Sequence, residues 1–113
     1  MIEVTLWSDA ADRRVGFLVR GHAGYRPRGQ DIICAAVSAL TQAAVLGLEE
    51  FLSEKPRVEI SEGRLQCLLP ESMSLTDWEK AEAILGTLEL GLEAIAESYR
   101  RFVRLKSRRW EGC

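Results

Sequence analysis

DIICAAVSALTQAAVLGLEEFLS, residues 31 to 53, places Ile33, Val37, Leu40, Ala44, Leu48 and Phe51 at intervals of three and four. That spacing gathers them on one face of a helix, which must find an apolar surface to cover. Asp31 stands at the N-cap position, where its carboxylate can accept the free backbone N–H groups of Ile33 or Cys34. Upstream, GHAGYRPRGQ, residues 21 to 30, has three glycines and one proline, too many for a helix or an interior strand, so it reads as a loop. Before the loop, Ile2, Val4 and Leu6 alternate with other residues, and so do Val15, Phe17 and Val19. This period of two on either side of Ser8 to Asp12 predicts a β-hairpin.

Downstream of Pro56 a second hairpin is expected. Val58 and Ile60 lie in one strand, Glu62-Gly63 at the turn, and Leu65, Cys67 and Leu69 in the other. Thr76-Asp77-Trp78-Glu79 has the form of a capping box. It would open a second helix with Trp78, Ala81, Leu85, Leu88, Leu92, Ile95 and Tyr99 inward. Phe102, Val103 and Leu105 suggest a short last strand. Two long helices with single apolar stripes need a sheet, so the expected class is α+β, with the hairpins and last strand in one sheet and both helices on one face. Residues 1 to 105 read as one domain and residues 106 to 113 as a basic C-terminal tail.

The 113 residues suit one domain, and 47% hydrophobic with 28% charged residues excludes disordered, collagen-like and disulfide-scaffold classes. Net charge is −2, but it is unevenly spread: +2 over residues 1–30, −9 over 31–97 and +5 over 98–113. No apolar run approaches the roughly 18 residues of a membrane span, and MIEVTLWSD carries charges where a signal peptide is apolar, so a cytoplasmic protein is expected. Cys34, Cys67 and Cys113 are widely spaced, with His22 as the single imidazole, which does not make a zinc site, and no cofactor is implied.

Chemistry is expected where strand, loop and helix meet. His22 ends a strand and Cys34 lies in the first turn of the helix, so the two can face each other across one connection. Free N–H groups and the positive end of a helix dipole favour a thiolate there. A neighbouring histidine would serve as base and then acid, and backbone N–H groups at the helix start would form an oxyanion site. The plainer reading is core packing for Cys34 and a surface position for His22. Cys67 reads as core and Cys113 as a tail thiol. Ser38, one turn after Cys34, faces the same site or bonds its own backbone. Arg26 and Arg28, with the cluster Arg100, Arg101, Arg104, Lys106, Arg108 and Arg109, suit phosphates or balance neighbouring acidic groups.

G-H-A-G-Y-x5-D-I-I-C-A-A-V-S-A-L, Gly21 to Leu40, closely resembles the signature of the bacterial ribosomal-processing cysteine proteases, the Prp or YsxB-like family. The similarity runs on through TQAAVLGLEE. The resemblance implies an endopeptidase that removes the N-terminal extension of a large-subunit ribosomal protein. Cys34 would be its nucleophile and His22 its base, and Asp31 would cap the helix, orient the site, or both. Gly21, Gly24 and Gly29 would make the loop mobile, Ser38 would line the substrate groove, and a homodimer is the implied assembly. Ile33 replaces a frequent valine, and Pro27 stiffens the loop. Two other readings stand beside it: a non-enzymatic ribosome-associated factor binding through the tail and the loop arginines, and a redox-sensing thiol at Cys34 that lacks an obvious resolving cysteine.

Overall fold

The computed structural model describes residues 1–27 and 30–111. Arg28, Gly29 and Cys113, each singled out above, lie outside the described residues. The elements run β1 (Ile2–Ser8), β2 (Arg14–Gly21), α1 (Ile32–Phe51), β3 (Arg57–Ser61), β4 (Arg64–Leu68), α2 (Leu75–Ser98) and β5 (Val103–Arg109). The strands form one sheet in the order β3-β4-β2-β1-β5. Both hairpins pair antiparallel, as does β2 with β4, whereas β5 returns to lie parallel to β1 over its whole length, from Ile2 opposite Val103 to Ser8 opposite Arg109.

Side chains alternate across a strand, so one set of strand residues meets the helices. Val4, Phe17 and Cys67 are fully buried there, joined by Ile2 and Val103. Leu48, Ile33 and Val37 of α1 close the core from above with Leu85, Leu88 and Leu92 of α2. Asp31 caps α1 as expected, its side chain accepting from the Ile33 and Cys34 backbone N–H groups. Arg14 on β2 reaches across to α2, donating to Glu82 and, at 3.2 Å, to Glu89. The α+β expectation, with two helices on a five-stranded sheet, holds.

Several local expectations change. The buried stripe of α1 includes Thr41 and Val45 but not Phe51, which is 58% exposed. Leu52, the C-cap, takes the inward place instead. The cap of α2 is Ser74 rather than Thr76: its hydroxyl accepts from Asp77 N–H at 3.1 Å, and Thr76 falls inside the first turn. Buried Asp77 turns away to accept from the backbone and side chain of Ser53, pinning the end of α1 to the start of α2. The supposed tail begins as strand, because Lys106 to Arg109 pair with Thr5 to Ser8. Finally, among the described residues one helix, α1, is long and apolar enough to cross a membrane by length and composition, contrary to the sequence expectation. Its inward stripe is spent on the sheet.

Candidate active site

The site forms where β2 ends, α1 begins and the β3–β4 turn comes alongside. Gly21 leaves β2 with φ +90°, a conformation costly for any residue with a Cβ, and a Cβ there would approach the Met1 carbonyl oxygen to 2.4 Å. Its N–H donates to the Gly63 carbonyl at 2.9 Å, which draws the β3–β4 turn against the start of the loop. His22 follows, exposed, with its imidazole lying over Gly63: a Cβ on Gly63 would sit 3.1 Å from Nε2. Gly63 also has φ +65°. A Gly63→Ala substitution should therefore strain the turn by about 1 kcal/mol and displace the imidazole, lowering kcat more than thermal stability. Steady-state kinetics beside a melting curve checks this.

From His22 the chain bends back over the helix start. Ala23, buried, donates its N–H to Cys34 Sγ at 3.2 Å. Tyr25 donates its N–H to Asp31 Oδ2 at 3.1 Å, and its ring packs edge-on against Phe102 at 5.2 Å and Tyr99 at 6.3 Å. The Arg26 guanidinium stacks over that ring. Asp31 thus does two jobs: Oδ1 caps α1 through Ile33 and Cys34, while Oδ2 ties down the loop. It does not turn its carboxylate to an imidazole. Desolvation works against its charge, but the backbone donors Cys34 and Tyr25 outweigh it and hold the carboxyl below its usual range.

That shift has a testable sign. Because the folded-state value is depressed, the stabilisation is full above the ordinary aspartate range of about 3.9 and fades as pH falls through the lower folded value. Asp31→Ala should lose about 1 to 2 kcal/mol at pH 7 from the cap and the loop tie together, with the deficit shrinking in acid. Asp31→Asn keeps a capping oxygen and should lose less. Urea unfolding of the three proteins at pH 7 and pH 3 measures both effects.

The structure corrects one expectation about the helix start. Ile33 and Cys34 give their N–H groups to Asp31 Oδ1, and Ala35 gives its own to the Asp31 carbonyl. These amides are engaged, so they do not form an oxyanion site. The donor beside the sulfur is instead the Ala23 N–H, which comes from the loop.

Two open grooves meet at Cys34. One is lined by Val19, His22, Ser38, Thr41, Ile60 and Arg64, among others; the second by His22, Gly24, Arg26, Asp31, Ala35 and Ser38. His22, Cys34 and Ser38 border both. A chain lying along the two would pass over the thiol, which is half-buried and approachable. Ile60, 74% exposed, supplies apolar surface in the first groove. Sequence reasoning did not find Gly63, Ile60 or Arg64 as site residues, because they reach it only through the pairing of β2 with β4. Cys67 lies apart, fully buried on the helix side of β4, its thiol pushed up to about 12 by burial and, secondarily, by Glu49.

Residues 1–104 match the sequence profile of the cysteine protease Prp family. The chain belongs to this family. It is 28% identical over 107 residues to the ribosomal processing cysteine protease Prp of Bacillus subtilis strain 168, covering 93% of this chain and 96% of that one. The fold agrees with crystal structures of the essential ribosomal processing protease Prp from S. aureus. One, with a covalently linked product peptide, superposes with a TM-score of 0.84 at 26% identity, covering 96% of this chain and all of that one. Another, with a substrate peptide, gives 0.79 at 25% identity over the same shares. The chain is a cysteine protease, and the purely non-enzymatic reading gives way.

Proposed function

We propose that this protease removes an N-terminal extension from a large-subunit ribosomal protein, with Cys34 as nucleophile and His22 as general base and acid. The observation that carries the assignment is the meeting of two open grooves at Cys34, with His22 bordering both. The ribosomal substrate is supported by the relatives, which are ribosomal processing proteases by name.

In the reaction, His22 takes the thiol proton and Sγ attacks the scissile carbonyl carbon, forming a C–S bond as the carbonyl π pair moves to oxygen. The Ala23 N–H, already 3.2 Å from Sγ, is placed to stabilise that oxyanion. His22 then protonates the amide nitrogen and the C–N bond breaks, releasing the body of the substrate. Water hydrolyses the thioester, giving its proton to His22 and its hydroxyl to the acyl carbon, and the sulfur leaves to recover the proton. Cys34 and His22 carry the bond changes and proton transfers of each step, with water as the second reactant.

Asp31 is the positioning residue, holding loop and helix start in register, and Ser38 lines the groove. The loop carrying Gly21 and Gly24 would order over bound substrate, and the enzyme would work as a homodimer in the cytoplasm. The test is incubation of the purified chain with the N-terminally extended ribosomal protein, read by intact mass. One shortened product with a single new N-terminus is expected, and an unchanged substrate mass would overturn the substrate assignment.

A further inference from the structure

The face of the sheet turned away from the helices has a character that net charge conceals. Register places Glu3 between Arg20 and Arg104, Thr5 opposite Lys106, Trp7 opposite Arg108, and Arg20 opposite Arg64. With Arg57 on the outer strand, six cations share this surface. Two carboxylates oppose them. Glu3 lies 4.0 Å from Arg20 and 3.8 Å from Lys106, while Glu59 accepts from Gln66. The balance is clearly positive. At one end of the face Trp7 and Trp110 stand against each other with ring centroids 4.5 Å apart, Trp110 being 36% exposed.

The opposite side of the molecule has the reverse sign. Exposed Glu79, Glu82, Glu93 and Glu97 stud α2, with Lys80 the one cation of that helix. A polyanion would therefore be drawn to the sheet face and repelled from the helix face. A second copy of this chain pairing face to face would set like charges together, which disfavours it. Guanidinium groups suit phosphates, and exposed aromatic rings on an open sheet accept stacked bases.

We propose that this open sheet face binds single-stranded RNA, with Arg104, Lys106 and Arg108 along β5 on the phosphates and the Trp7–Trp110 pair taking a base. The choice of RNA over DNA rests on the ribosomal substrate proposed above, whereas the nucleic-acid character of the face does not. Arg64 belongs to this face and also borders the catalytic groove, so bound RNA would lie next to the site. The face would then bring the protease to a substrate that is itself held on RNA.

The test is binding of a fluorescein-labelled single-stranded RNA 12-mer, followed by anisotropy. If about four phosphates are contacted, the logarithmic salt slope is about −3, and binding weakens about fifty-fold between 50 and 200 mM salt. The double variant Arg104→Gln/Arg108→Gln should bind about tenfold more weakly with a slope shallower by about 1.4. Trp110→Ala should weaken binding about tenfold as well. Neither variant touches the groove, so both should cleave a short peptide spanning the processing site at the wild-type rate. This separates a failure of RNA binding from a failure of the protease assignment. RNA affinity unchanged in the double variant would overturn the proposal, as would capture of poly-glutamate in place of RNA, which would make the face a site for acidic protein.

Discussion

Cys34→Ala is expected to leave the extended ribosomal protein uncut over times in which the wild-type enzyme should convert it completely, with kcat/KM down by at least about 10⁴-fold. Alanine supplies no atom able to form the thioester, and the neighbouring groups have no second nucleophile to offer: Ser38 lies a full helical turn along the groove, and Cys67 is sealed in the core. The loss is chemical rather than structural. Alanine is the best helix former, and the substitution forfeits the hydrogen bonds of the thiol, from the Ala23 N–H and to Asp31, so the melting temperature should shift by only a few degrees. Substrate should still bind the intact grooves and remain trapped uncut. A companion measurement is alkylation of the folded enzyme by iodoacetamide with peptide mapping. Cys34 should be modified with loss of activity, while Cys67, buried and with its thiol raised to about 12, should stay untouched until unfolding. Cleavage that persists in Cys34→Ala would remove Cys34 as nucleophile and return it to a packing role.

What the sequence disclosed about this site is what local chain geometry controls. The α1 cap was legible because Asp31 and its two amides lie within three residues, and so was the helix itself, whose period is short-range. His22 and Cys34 could be expected on one groove, which both line, because one connection carries both. Gly63 could not be, since it reaches His22 through the ladder that sets Arg20 against Arg64, across a separation of more than forty residues. Register between distant strands leaves no local signature. The same cause hid the nature of the C-terminal arginines. Arg104, Lys106 and Arg108 alternate with Leu105 and Ser107, but a run of cations reads as a tail until β1 is seen to offer a free edge for parallel pairing. At α2 the error was smaller. Ser74, two positions before the expected Thr76, caps by accepting from the Asp77 N–H, and the Asp77 carboxylate goes to Ser53, a tertiary contact with no local signature. The N–H beside the sulfur was missed for a related reason: Asp31 takes the Ile33 and Cys34 amides, so the amide that reaches Cys34 Sγ comes from the loop folded over them.

His22→Ala is expected to lower kcat by about 10² to 10⁴-fold with KM little changed, the usual cost of removing a general base. At the middle of that range the loss is about 4 kcal/mol of transition-state stabilisation. The fold gives a reason to read this loss as chemistry. His22 is exposed and its ring rests on a glycine, so removing the imidazole empties no packed core, and stability should move by less than about 0.5 kcal/mol. A merely structural histidine would show the opposite pattern, a lowered melting temperature with partial loss of activity. Imidazole added to the buffer separates the readings further. It can enter the open groove vacated by the ring and take the Cys34 proton, so it should restore part of the rate to His22→Ala and none to Cys34→Ala. Since His22 is the chain's single histidine, no second imidazole can mask the effect. Undiminished turnover by His22→Ala would leave Cys34 as a nucleophile without its base, and the proton would then have to pass to water or substrate.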